Sequence, residues 1–386
     1  MYLTGNSLGL QAKKSQKYVE EELEKWKRVG VMGHTSGERP WLTIDEESTK
    51  LMSGIVGALP SEVALMTTLT ANLHLLMVPF YKPTADRYKI LIEAGAFPSD
   101  LYCAESQALV HGFDPKDAVV RLQPRVGERI LRAEDILHKI ESERFAVILL
   151  PGIQYETGQL LPMKEIVEAG HRYGARVGFD LAHGAGNVEL KLHDWNVDFA
   201  AWCSYKYLNS GPGGIGGLFF HEQHHADPTL HKFSGWWGHQ LNTRFQMKHE
   251  FEPIPGAFSF RLSNPSVFPV VSLLATLEIM HRIGMDAMLK KQRLLTGYLE
   301  ALLSSELGPS LVTIITPTDP SQRGCQLSLD FHRNAREFEH QLYLHGIVSD
   351  ARDTIIRAAP TPLYNSFSDV RRFVDVLKTL LPVKSH

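Results

Sequence analysis

The chain has 386 residues, 44% hydrophobic and 22% charged, with a formal net charge of −3. That length suits two or so domains around a sizeable buried core, and a charge this small and dispersed excludes nucleic acid or a membrane surface as a main partner. Cys103, Cys203 and Cys325 are too far apart for a disulfide framework or zinc ribbon and suit a reduced, cytosolic setting.

The start, Met1 to Asn6, lacks the pattern of a signal or transit peptide, and the longest apolar stretch, Val267 to Met280, is too interrupted by polar residues to span a membrane. Gly5-Asn6-Ser7-Leu8-Gly9 is turn-rich and precedes a helical pattern from Lys13 to Arg28. Arg39-Pro40-Trp41 breaks the chain before a second helix from Asp45 to Leu59, which Pro60 ends. Val63 to Met66 reads as a short strand feeding Thr67-Thr68-Leu69-Thr70 at a helix start. Free N–H groups and hydroxyls there could hold a phosphate, although a plain Thr N-cap has the same pattern.

Tyr88 to Glu93 is the next strand, ending near Phe97-Pro98-Ser99-Asp100, where Phe97 is either a core ring or one that stacks on a flat ligand. Ala118 to Leu122 suggests another strand. Phe145 to Leu150, bounded by Pro151-Gly152, has the unbroken apolar run of a central parallel strand, and a helix over 162–173 follows. Two strand-like runs then end in chemically loaded residues: Gly178-Phe179-Asp180 and Trp202-Cys203-Ser204-Tyr205-Lys206. In an open α/β sheet ligands gather at the carboxyl ends of strands, so Asp180 and Lys206 could face one pocket. A Schiff-base lysine and an acid for a pyridinium nitrogen are the two groups pyridoxal 5′-phosphate needs most.

Two motifs downstream are decoys. Gly211 to Gly216 fits G-x-G-x-x-G but carries Pro212 and leads into a strand, Leu218 to Phe220, where a dinucleotide loop would open a helix. His221-Glu222-Gln223-His224-His225 fits H-E-x-x-H, yet Pro228 leaves little helix to put both histidines on one face, so no metal is expected. The aromatic stretch from Phe233 to Asn264 reads as a long binding or interface loop. Helices over 266–283 and 286–304 follow. Beyond Leu311 come short strands (311–316, 326–330, 355–358) and helices (335–344, 367–381), an α+β pattern in which Arg357 is the odd residue: a solvated arginine, or a guanidinium fork for a carboxylate.

Tyr2-Leu3-Thr4-Gly5-Asn6-Ser7-Leu8-Gly9, Gly33-His34, Arg39-Pro40-Trp41, Phe97-Pro98-Ser99-Asp100, Gly178 to His183, Ser204-Tyr205-Lys206-Tyr207, Gly235-Trp236-Trp237-Gly238-His239 and Pro362 to Phe367, in this order, resemble the kynureninases from end to end. The resemblance implies the fold-type-I, class V aminotransferase-like architecture of pyridoxal-phosphate enzymes. Its parts would be an N-terminal segment (1–40), a large cofactor domain with a mostly parallel sheet (41–304) and a small C-terminal α+β domain (305–386). It implies a cytoplasmic homodimer with shared active sites that cleaves L-kynurenine or 3-hydroxykynurenine, in tryptophan breakdown toward NAD. By motif, Lys206 resembles the Schiff-base lysine, Asp180 the partner of the ring nitrogen, and Tyr205 a phosphate contact; adjacent to Lys206, Tyr205 is also the candidate for proton transfer. Leu69, Thr70, Phe97, Ser99, Asp100, His183, Trp236 and Asn264 resemble the other cofactor contacts. Ser7, His34, Ser263, Asn264 and Arg357 resemble the substrate pocket, with His34 and Asn264 the animal-type choices that favour the 3-hydroxy substrate.

The chain departs from the family in two places. Pro151 stands where some animal members of the family carry a serine, and several dozen residues normally precede the equivalent of Tyr2, so a shortened form is expected. The rivals are a shortened chain that dimerises without catalysis, or another lyase such as a desulfurase, which would need a cysteine in a mobile loop; Cys103 is the nearest candidate.

Overall fold

The computed structural model describes residues 1–381. Seven strands form the larger sheet: β1 (Val63–Leu65), β2 (Lys89–Glu93), β3 (Val119–Leu122), β4 (Phe145–Pro151), β5 (Arg176–Asp180), β6 (Phe199–Cys203) and β7 (Gly216–Phe220). Their order is β1-β7-β6-β5-β4-β2-β3, and only β7 runs against the rest. The unbroken apolar runs have a simple cause. Successive side chains point to opposite faces, and helices cover both. Ile148, Leu150, Val177 and Phe179 pack on one side beneath Ile166, Val167, Leu273 and Leu277. Val147, Leu149, Phe199 and Ala201 pack on the other beneath Leu73, Leu76, Met77 and Phe80.

The strand order reverses between β2 and β4, and the crevice at such a reversal opens outside the carboxyl ends of the strands. Asp180 ends β5 as the sequence suggests. Lys206 does not end β6: the strand stops at Cys203, and the next residues turn. The cause is Ser204, buried with its hydroxyl bonded to Ser210 Oγ at 2.6 Å and to the Ile215 carbonyl, which folds 204–215 into a closed loop. The H-E-x-x-H run forms a single helical turn, Glu222–His224, and His225 Nε2 points back to the Phe220 carbonyl at 3.1 Å. No single helix among the described residues is long and apolar enough to cross a membrane.

The second sheet is antiparallel, ordered β10-β11-β9-β8, with β8 (Thr313–Ile314), β9 (Leu327–Asp330), β10 (Asp350–Arg352) and β11 (Ile355–Ala358). The short polar strand β10 has no apolar pattern and escapes the sequence reading. Helix Phe367–Leu380, opened by a Ser366/Asp369 capping box, lays Val370, Phe373, Val374 and Leu377 on this sheet. The same core takes in Leu295, Leu299 and Leu303 of helix Met285–Glu306, so it reaches back into that helix instead of starting at its end. The first residues join it too, with Tyr2 bridging to Val348, Thr4 to Ala359, and Leu3 buried.

Gly178 lets β5 and β6 pack closely, since a Cβ there would lie 2.1 Å from the Phe199 ring. Gly178→Ala should therefore lower stability by about 1–3 kcal/mol through overpacking; a thermal melt matching that of the parent chain would contradict this packing.

Candidate active site

The carboxyl ends of β2, β4 and β5 and the turn after β6 enclose a 260 Å³ cavity lined by Glu93, Pro151, Asp180 and Lys206 together with Thr68, Leu69, Thr70, Phe97, Ser99, Asp100, Ile153, Tyr155, Ala182, His183 and Tyr205. Each wall follows from local chain chemistry. Thr67, a β-branched residue at φ 42°, makes the tight turn from β1 into helix Leu69–Phe80. Gly216 packs behind that turn, where a Cβ would come within 3.1 Å of the Leu69 nitrogen. The helix start thus presents free N–H groups beside the Thr68 and Thr70 hydroxyls, an arrangement suited to a phosphate.

Pro98 at the first helical position starts helix Pro98–Val110, so Ser99 and Asp100 fall on its first turn at the cavity. Phe97 precedes it, 47% exposed, with Tyr155 edge-on to its ring at 5.3 Å. Asp180 accepts the Ala182 N–H at 2.6 Å, and Lys206 Nζ lies 3.0 Å from His183 Nε2. The lysine turn is braced from outside, since Gly9 N donates to the Tyr205 carbonyl at 2.7 Å. Any Cβ at Gly9 would strike the Lys206 carbonyl at 2.2 Å, so that position requires glycine.

Burial and crowding set the protonation. Burial pushes Asp100 well up, with the Asp180 and Glu93 charges adding to it, so Asp100 holds its proton and hydrogen-bonds Asp180. Burial also raises Asp180, opposed by Lys206 and the Ala182 N–H. Burial, then the charges of Lys206 and Arg357, push His183 well down, leaving a neutral imidazole. Burial lifts Glu93 to about 7 and keeps the Tyr205 phenol protonated.

Arg357 lies just behind this cavity. Its Nη1 donates to the Tyr155 carbonyl at 2.9 Å, and its Nη2 to Ser7 Oγ at 3.1 Å and to Asp350. Of the site residues suggested by sequence, Leu69, Thr70, Phe97, Ser99, Asp100, Asp180, His183, Tyr205 and Lys206 share the cavity, and Ser7 and Arg357 meet beside it. His34, Trp236, Ser263 and Asn264 do not line it within one chain. His34 packs edge-on against Trp41, Trp236 Nε1 donates to the Arg244 carbonyl, and Ser263 and Asn264 are exposed. Sequence reasoning missed Glu93 and Tyr155. Glu93 carried the same signal as Asp180, an acid closing an apolar strand.

The residues fit pyridoxal 5′-phosphate. Asp100 Oδ1 and His183 Nδ1 are buried without partners, which a polar ring-bearing ligand would relieve. An amine, an acid, an exposed aromatic ring and a helix start complete the set. Fold and site together define a pyridoxal-phosphate enzyme of fold type I. A family model described as the kynureninase C-terminal domain matches residues 288–377. Kynureninases from Myxococcus xanthus (52% identity; 98% of this chain, 89% of that one), Nematostella vectensis (50%; 99% and 86%) and Homo sapiens (50%; 99% and 84%) are similar along their length. The chain belongs to the kynureninase family. In fold alone it also resembles a cysteine desulfurase from Thermococcus onnurineus NA1 (TM-score 0.79, 18% identity; 99% of this chain, 94% of that one). A C-DES mutant with glycine covalently linked to its PLP cofactor is equally similar in fold (TM-score 0.81, 16% identity; 97% and 95%).

The raised Glu93 pKa makes a pH signature. A raised acid contributes its stability below the unfolded value of 4.5 and loses it as pH rises through about 7. The neutral Glu93→Gln chain escapes that loss, so in denaturant titrations without cofactor it should gain about 3 kcal/mol on the parent between pH 4.5 and about 8. Parallel stability curves would contradict the burial assigned to this carboxyl.

Proposed function

We propose that the chain hydrolyses the Cβ–Cγ bond of L-kynurenine and 3-hydroxy-L-kynurenine, giving L-alanine and anthranilate or its 3-hydroxy form. The observation that carries this is the meeting of Lys206 and Asp180 in one cavity, with a phosphate-competent helix start on its wall and Arg357 close behind. When bound, pyridoxal 5′-phosphate supplies an aldehyde that condenses with amines and a ring that takes up the electron pair left at Cα.

The chain's own residues divide the remaining work. The Leu69 and Thr70 N–H groups and the Thr70 hydroxyl would hold the phosphate, Phe97 would face the ring, and Asp180 would pair with the ring nitrogen while protonated Asp100 supports it. Lys206 takes the Cα proton, and the neutral His183 imidazole, an acceptor at 3.0 Å, keeps that amine in place. Tyr205 remains a phenol, able to donate to the phosphate and to pass a proton to Cβ. Water adds to the γ-carbonyl, the Cβ–Cγ bond breaks with its electron pair on Cβ, a proton is delivered to Cβ, and return of the proton held by Lys206 to Cα completes L-alanine. Arg357 and Ser7 take the α-carboxylate.

Trp236, Ser263, Asn264 and His34 complete the pocket only if a second copy supplies some of them, which is why the active form is read as a homodimer. Exposed Phe233, Trp236, Phe245 and Phe251 give that contact its apolar material. Three buried, unpaired thiols support placement in the cytoplasm and leave no exposed cysteine for sulfur transfer among the described residues. By resemblance to the animal-type enzymes, His34 and Asn264 would favour the 3-hydroxy substrate once a second copy completes the pocket.

Lys206→Ala should lower kynurenine turnover, followed by anthranilate fluorescence, by about 10³-fold or more and remove the protein-bound visible absorbance. Retention of both would refute the role of this lysine.

A further inference from the structure

Arg357 is 3% exposed in the interior of the small sheet, where an unpaired guanidinium is strongly unfavourable. Four of its five N–H donors can be accounted for singly. Nη1 serves the Tyr155 carbonyl, Nη2 serves Ser7 and Asp350, and Nε is buried with no partner at all. A buried donor left unpaired marks a place for a ligand acceptor, and a guanidinium suits a carboxylate.

Asp350 is built into this arrangement by backbone register. It stands directly opposite Arg357 in the antiparallel pairing of β10 with β11. One of its oxygens takes Arg357 and the Ser7 hydroxyl, the latter at 2.5 Å, and the other takes Arg352 Nη1 at 2.8 Å. The carboxylate is thus held by three side chains from the opening segment, β10 and β11. Asp350 does not line the cavity, whereas Tyr155, which holds the other end of the guanidinium, does.

We propose that Asp350 is a positioning residue, a fixed counter-ion that anchors Arg357 through Nη2 and so reserves the remaining N–H groups for the α-carboxylate of the amino-acid substrate. The inference rests on the kynurenine-cleaving reading given above. Asp350 touches neither cofactor nor reacting atoms, so it acts on capture of the carboxylate and not on bond cleavage. Its loss leaves Arg357 charged but without the partner that orients it.

The test uses the full-length holoenzyme and steady-state anthranilate release. Asp350→Asn, which keeps the shape and removes the charge, should raise KM for kynurenine at least about tenfold with kcat within about twofold; Asp350→Glu, which displaces the charge by one methylene, should raise KM about threefold. The decarboxylated amine of kynurenine, tested as a competitive inhibitor, should bind parent and variants equally, because it has no carboxylate for Arg357 to hold. A parent-like KM in either variant overturns the proposal, as does inhibition by the amine weakening in step with KM, the mark of a generally damaged pocket. If Asp350→Asn does not fold, the Asp350→Glu pair of measurements decides alone. Failure of the parent chain to release anthranilate would refute kynurenine cleavage itself, whereas an active parent with unchanged variants refutes only the role of Asp350.

Discussion

Everything in the site depends on one crowded electrostatic arrangement: a single, partly buried lysine amine gathered with three buried carboxyl groups around one cavity. Like charges so close cannot all ionise, and burial penalises each ionised form. Asp100 therefore keeps its proton, Glu93 titrates near neutrality, and Asp180, beside Lys206 and the Ala182 N–H, is the acid with opposing support for its charge. The neutral His183 imidazole fits the same balance, since a second cation next to Lys206 would be repelled. The result is a graded set of proton donors and acceptors, each fixed by the strand, helix start or turn that carries it.

That arrangement needs more chain than the large sheet. Residues 2–9 reach the small sheet through Tyr2 and Thr4, meet Arg357 and Asp350 through Ser7, and brace the lysine turn through Gly9. One short segment thus ties the turn that carries Lys206 to the Arg357–Asp350 pair. Its turn-rich sequence looks unremarkable beside a helix or strand, yet small residues are what such close approaches require, as the 2.2 Å clash of any Cβ at Gly9 with the Lys206 carbonyl shows.

Much of the fold was legible because both faces of the large sheet are covered, which writes β2, β4 and β5 as apolar runs closed by Glu93, Pro151 and Asp180. The same logic misplaced the end of β6, since the Ser204 bonds that fold the lysine turn are tertiary and leave no periodic trace. It missed β10 because a three-residue edge strand with Asp350 and Arg352 has no apolar alternation. Arg357 stood out as a charge inside a strand, but its partner, set by register with a strand unseen in sequence, did not. Asp180 was noticed and Glu93 was not, although both close apolar strands, because only the first sat beside a recognisable lysine motif. The places of Trp236, Ser263 and Asn264 came from resemblance alone, and one chain does not bring them to the cavity.

The most direct test is to reduce the cofactor-loaded protein with borohydride and map the modified peptide by mass spectrometry. Attachment of the pyridoxyl group at Lys206, and at no other lysine, is the predicted result. Attachment elsewhere, or none, would contradict the account, because the amine beside His183 and Asp180 would then not be the one that meets the cofactor.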